Sequence, residues 1–295
     1  MKAEAVALPV ARNRASDFVA LTKPRLNLLV VATTAAGYYL GTSSDLDLLA
    51  FVNTVAGTAL VAGGASALNQ VAERRVDGLM RRTCGRPLPG GRLQPGEAGG
   101  FALLLSLTGL LMLALGANLL AAMVALATLV CYVALYTPLK QRTSLATVVG
   151  AVPGALPPMI GWAAATDVLS PEAWILFAIV FLWQMPHFLA IAWLYREDYA
   201  RAGFPMLPVA EPDGRSTARQ VTAYAAALLP VSLAPTVVGL AAPPYLVGAL
   251  VLGLAFLCLA LRFAWRRSRA DARWLFLGSI LYLPLVWIFM IAARV

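Results

Sequence analysis

Nine long apolar stretches, each closed off by charge, glycine or proline, dominate this sequence; they fall at about 26–43, 48–69, 99–117, 119–137, 145–165, 173–194, 221–240, 244–262 and 273–292. Most approach the ~20 residues that an α-helix needs to cross the hydrocarbon of a bilayer. In that solvent the backbone must satisfy its own hydrogen bonds, which leaves helices or a closed barrel. No strand pattern competes, so the expected fold class is all-α: a polytopic membrane helical bundle. Only 13% of the 295 residues are charged, where a soluble domain carries about a quarter. Residues 17–295 therefore read as a single transmembrane domain. Residues 1–16 lack the apolar core of a signal peptide and read as a mobile cytoplasmic tail.

The third and fourth stretches are separated by little more than Gly116, Ala117 and Asn118, so the count of nine needs an independent test. Charge supplies it. With the N-terminus in the cytoplasm, the connections alternate, and every lysine and arginine except Arg294 falls on the inner side. The outer loops carry Asp45, Asp47, Asp167 and Glu172. This is the positive-inside pattern, which a wrong count would scramble. It also explains the net charge of +9 through membrane topology, with no nucleic acid needed as a partner. Cys84, Cys131 and Cys258 are too scattered for a disulfide framework or a metal cluster.

The inner connections are the long ones, and they hold the chemistry-bearing residues. The second stretch runs on through Asn69, Glu73 and Asp77, with no proline until Pro87, so the helix is expected to continue to about Arg82. Each step of four residues turns about 40° and climbs about 6 Å, so the three share one face within roughly 80°. Two carboxylates and an amide on one face suit Mg²⁺, an ion usually shared between a carboxylate or two and substrate phosphate. The same spacing also suits a solvated helix end with local pairs such as Glu73 with Arg74 or Arg81. Arg81, Arg82, Arg86 and Arg92 could bind diphosphate, or serve topology alone.

A second cluster follows the sixth stretch. His187, the sole histidine, lies beside Pro186 inside an apolar span, with Trp183, Phe188 and Trp193 nearby. An ionisable residue there faces the bundle interior or a cavity; its imidazole either satisfies the carbonyl freed by Pro186 or lines a pocket. Asp198 lies 11 residues on, on the same face if the helix is unbroken. It could hold a metal or pair with Arg201. Lys23, Arg25 and Asn27 begin the first span, and Tyr136 and Lys140 end the fourth, all beside the same inner face. Pro153, Pro157 and Pro158 are expected to kink or break the fifth.

The run from Asn69 to Leu88, N-x-x-x-E-x-x-x-D followed by M-x-R-T-x-x-R-P-L, resembles the first aspartate-rich motif of the UbiA superfamily of intramembrane prenyltransferases. Three further stretches agree in family order: Lys23 to Asn27; Tyr136 to Lys140 with Gly154–Pro158 and Gly161-Trp162; and Pro186-His187-Phe188 through Asp198-Tyr199 to Val209. The reduced second motif, Asp198-Tyr199, is most similar to the haem-modifying branch, the protohaem IX farnesyltransferases.

That resemblance implies a bacterial inner-membrane enzyme with nine transmembrane helices around a central cavity open to the cytoplasm. It implies farnesyl diphosphate and haem b as substrates, Mg²⁺ as cofactor, haem O as product, and a place beside membrane lipids and oxidase-assembly proteins. Asn69, Glu73, Asp77 and Asp198 would hold Mg²⁺ and diphosphate. Lys23, Arg25, Lys140, Arg81, Arg82 and Arg86 would stabilise the leaving charge, with Asn27 beside them. Tyr136 or Tyr199 would shield the carbocation, and Trp183, His187, Phe188 and Trp193 would line the acceptor pocket. Two rivals stay open: a UbiA-type enzyme prenylating an aromatic acid or other acceptor, and a secondary transporter with kinked helices.

Overall fold

The computed structural model describes residues 13–43 and 45–295, and these are helical apart from turns and one isolated bridge between Ala241 and Arg294. The helices are α1 Arg14–Leu21, α2 Pro24–Gly41, α3 Leu48–Asp77, α4 Pro95–Gly116, α5 Leu119–Leu139, α6 Ala146–Thr166, α7 Pro171–Leu194, α8 Arg196–Arg201, α9 Leu207–Ala210, α10 Arg215–Val237, α11 Pro243–Arg266 and α12 Arg269–Ala292. Among the described residues, eight helices are long and apolar enough to cross a membrane: α3 to α7 and α10 to α12. The first expected span, α2, has 18 residues and is not one of those eight. The chain is thus a multi-pass membrane protein.

Sequential neighbours pack around a ring, from α2 against α3 through to α11 against α12, and α12 touches α2 to close it; α7 packs on α6, α10 and α12. Small residues set the closest approaches. A Cβ on Gly109 of α4 would lie 2.6 Å from the Gly57 carbonyl oxygen of α3. On α2 and α6, a Cβ at Gly37 would meet the Pro158 carbonyl, and one at Gly161 the Thr34 carbonyl. Close backbone contact of this kind drives helix association where lipid offers no hydrophobic gain. The outward face of α4 exposes Leu103, Leu104, Leu107, Leu111 and Leu115, a lipid-facing stripe.

Local irregularities position the site. Pro157 and Pro158 cannot donate to carbonyls one turn back, and α6 breaks at Leu156 as expected. Polar side chains tie neighbouring helices to this irregular stretch: Thr34 Oγ1 donates to the Pro157 carbonyl (3.1 Å), and Gln184 Nε2 to that of Ala151 (3.1 Å). The last part of α5, Cys131–Tyr136, winds as a π-helix, a widened turn frequent at functional sites.

Three expectations need correction. Helix α3 ends at Asp77 instead of Arg82, because the chain turns at Gly78 and Thr83 Oγ1 folds back to the Asp77 carbonyl (2.7 Å). Helix α7 stops at Leu194, and Tyr195 interrupts it before α8, so Asp198 loses its phase with His187. Of the expected mobile tail, residues 1–12 lie outside the described residues, but Asn13 caps α1 and Arg14, Ala15 and Ser16 belong to it. That helix is anchored by buried Asp17, whose two oxygens each accept from Arg92 Nε at 3.1 Å.

Candidate active site

The face predicted on α3 is real and almost wholly buried: Asn69, Glu73 and Asp77 are 3%, 2% and 1% exposed. Burying carboxylates is costly unless cations accompany them, and three segments supply them. Lys140, just past the end of α5, places Nζ 3.2 Å from both oxygens of Glu73. Arg86, in the 78–94 connection, donates to Asp77 Oδ2 at 2.6 Å. Lys23, at the start of α2, reaches Asn69 Oδ1 at 3.4 Å.

Lys23 occupies the left-handed region (φ 47), a conformation that strains a residue with a Cβ. Burial, then the nearby Arg86 and Lys140, push its ammonium down to about 7. The π-helix of α5 turns Thr137 toward this face, where its hydroxyl accepts from Asn69 Nδ2 (3.2 Å). Tyr136 and Tyr132 of the same segment stack on each other with ring centroids 5.4 Å apart.

The second connection folds over the first. Arg82 Nη2 donates to Tyr199 Oη (2.8 Å), and its guanidinium lies 4.9 Å from the Tyr199 ring centroid and 5.3 Å from that of Tyr195. Met80, Tyr199, Phe204 and Met206 form a small apolar cluster there, and Lys140 Nζ sits 4.7 Å from the Phe204 ring centroid. Beneath it, Tyr136, Lys140, Phe188, Ile191, Tyr199 and Met206 line a narrow cavity of about 50 Å³.

Of the residues singled out in the sequence, the structure brings Lys23, Asn69, Glu73, Asp77, Arg86, Tyr136 and Lys140 into one polar cluster, with Arg82, Phe188 and Tyr199 beside it. Asn27 supports it from α2, donating to the Thr22 carbonyl (2.6 Å) and Ser66 Oγ (3.3 Å). Arg25 and Arg81 are exposed. Asp198 pairs with Arg201 and makes no hydrogen bond to α3.

Trp183 donates to the Ser279 carbonyl of α12 (2.8 Å), and Trp193 packs edge-on against Phe263. His187 does not serve the carbonyl freed by Pro186; its Nδ1 lies 2.7 Å from Ser279 Oγ, and its ring stacks on Trp183 with centroids 4.9 Å apart. Since Ser279 Oγ donates to the Phe276 carbonyl (2.6 Å), its oxygen accepts from Nδ1–H of His187. Sequence reasoning singled out none of Thr137, Phe204 and Ser279; the first two lie within the family-like stretches, and Ser279 lies outside them.

Among the described residues no three acidic, histidine or cysteine side chains are grouped to share an ion. The donors on α3 nevertheless fit Mg²⁺: they are oxygens on one face, and Asp77 Oδ1 is buried without any hydrogen-bond partner. A buried carboxylate oxygen without a donor is one that an ion could satisfy.

Comparison with known proteins identifies the family. The profile of the UbiA prenyltransferase family matches residues 30–289. The chain is 50% identical to the protoheme IX farnesyltransferase of Solibacter usitatus, over 94% of this chain and 98% of that one. It is 46% identical to the protoheme IX farnesyltransferase of Myxococcus xanthus, over 96% and 95%. In fold it is similar to a digeranylgeranylglyceryl phosphate synthase (TM-score 0.81, 16% identity, covering 95% of this chain and 98% of that one). It is also similar to a UbiA homolog from Archaeoglobus fulgidus bound to DMAPP and Mg²⁺ (TM-score 0.66, 15% identity, covering 93% and 99%). The chain belongs to the UbiA prenyltransferase family and is a near relative of its protoheme IX farnesyltransferases.

Proposed function

We propose that this protein transfers the farnesyl group of farnesyl diphosphate to a vinyl group of haem b, giving haem O. The observation that carries the reading is the near-full-length identity with protoheme IX farnesyltransferases, and the cationic, acid-lined face of α3 supports it. Asn69, Glu73 and Asp77 would hold Mg²⁺, and Asp198 would contribute to the same ion from the second connection. The ion supplies positive charge against the departing diphosphate.

The chain's own cations do the rest of the electrostatic work. Lys140, Arg86 and Lys23 donate to diphosphate oxygens as the C–O bond breaks and its electron pair leaves with the diphosphate. In a site partly screened from water, they stabilise that charge more than solvent would. Tyr136, Phe188 and Tyr199 line the space beside Lys140 and keep water from the allylic cation. The electron-rich vinyl carbon then attacks it. Water adds to the neighbouring carbon and loses a proton, which leaves the hydroxyethyl group. His187, Trp183 and Trp193 shape the acceptor side through the α7 packing that they maintain.

In the membrane we assign nine spans, with α2 as the first, the N-terminus in the cytoplasm and the polar cluster opening to that side. The support is the run of basic residues at one end of the bundle. The catalytic unit is a single domain from residue 17 onward, working beside lipid and handing its product to oxidase assembly.

Detergent-solubilised protein incubated with haem b, farnesyl diphosphate and Mg²⁺ is expected to yield farnesylated hydroxyethyl haem by mass spectrometry. Prenylation of an aromatic acid in its place would move the chain to another branch of the family.

A further inference from the structure

Each oxygen-bearing side chain on the α3 face has its own cation, and each cation comes from a different part of the chain. Lys23 reaches Asn69, Lys140 takes Glu73 and Arg86 takes Asp77. All three sit at segment ends or in a connection, where a long stem can swing. Lys140 and Arg86 already balance the charge of Glu73 and Asp77, with Lys23 beside them. One carboxylate oxygen, Asp77 Oδ1, is buried without a partner.

A divalent ion entering alone would find no uncompensated carboxylate charge. It would also have to displace Lys140 from two oxygens at 3.2 Å and Arg86 from one at 2.6 Å, leaving both cations unpaired in a mostly buried site. The one free oxygen is too little for Mg²⁺, which draws most of its inner ligands from carboxylate, phosphate and water. A diphosphate changes this balance, because its oxygens accept from the displaced ammonium and guanidinium groups while also binding the ion.

We propose that Lys140, Arg86 and Lys23 stand in the metal's place until an isoprenyl diphosphate arrives and then move to its oxygens, so that Mg²⁺ enters only together with diphosphate. This rests on the prenyltransferase reading above and adds an order to it. The coupling is reciprocal: each ligand raises the affinity for the other by the same factor. Free divalent ions leave the site in its paired state, and the carboxylates are never left bare.

Mn²⁺ alone, without diphosphate, is the probe. Its binding to the detergent-solubilised full chain is followed by loss of the free-ion electron paramagnetic resonance signal. The wild type is expected to bind it weakly. Lys140→Gln releases Glu73 and removes a positive charge beside it, and is expected to bind Mn²⁺ about tenfold more tightly or better. Adding Glu73→Gln to that variant is expected to erase the gain.

Equal affinity in wild type and Lys140→Gln, or a gain that survives loss of Glu73, overturns the exchange. If Lys140→Gln is not monodisperse on size exclusion, Arg86→Gln with and without Asp77→Asn puts the same question to the second pair. The farnesylation assay separates the two readings. Haem farnesylation with no Mn²⁺ gain sinks the exchange alone, and the Mn²⁺ pattern without farnesylation sinks the acceptor assignment alone.

Discussion

The polar node where α7 crosses α12 and the one at the charged end of α3 are finished to different degrees. Where α7 crosses α12, His187, Ser279, Trp183 and the Phe276 carbonyl answer one another: Trp183 Nε1, His187 Nδ1 and Ser279 Oγ each have a partner within 2.8 Å. At the charged end of α3 the cations ride on long stems from three separate segments, and Asp77 Oδ1 has no hydrogen-bond donor. A satisfied buried network rigidifies its surroundings, while a partly satisfied one has a high energy that a ligand can relieve. The first node therefore reads as structure and the second as a binding site.

Mutations can break that contrast, beginning with the largest expected effect. Glu73→Gln or Asp77→Asn should cut farnesyl transfer by about 100-fold or more, the scale seen when a group stabilising transition-state charge is lost. The melting temperature should fall as well, because Lys140 or Arg86 loses its buried partner, so transfer is compared per folded protein. A large loss of stability with transfer intact would exchange the roles of the two nodes.

The reverse pattern is expected at α7. Ser279→Ala leaves His187 Nδ1–H without its acceptor and should cost about 1–3 kcal/mol of stability, read as a lower melting temperature. Binding of Mn²⁺ with farnesyl diphosphate by the folded fraction should hold near the wild-type value. Arg82→Lys removes a planar guanidinium held against Tyr195 and Tyr199, a contact worth about 0.5–2 kcal/mol. A several-fold rise in KM for farnesyl diphosphate and faster tryptic cleavage within residues 78–94 should follow. Arg14→Ala breaks an exposed pair with Glu97 and should leave transfer and melting where they were.

How much of this was legible in the sequence differs between the same two regions. The α3 face was readable because its donors are four residues apart on one helix, where periodicity decides which side chains share a surface. Lys23 and Lys140 were placed correctly at the same membrane face because apolar stretches fix where a span ends. The pairing of Arg86 with Asp77 depends on the chain reversing at Gly78, and the assumed helix to Arg82 hid it. The link from Arg92 back to Asp17 closes 75 residues of separation, beyond what any local pattern carries. The phase of Asp198 failed for the same reason as the end of α3: one interrupted turn at Tyr195 resets every face that follows. His187 was marked as unusual, but its partner on α12 lies 92 residues away.

The central claim is that the acidic face of α3 and its three cations form the diphosphate site. A structure of the protein with Mg²⁺ and a non-reactive farnesyl diphosphate analogue tests it most directly. The account predicts diphosphate density within hydrogen-bonding reach of Lys140 and Arg86, with the ion against Glu73 and Asp77 and both ion pairs opened. Diphosphate bound elsewhere, with Lys140 still on Glu73 and Arg86 still on Asp77, would contradict it.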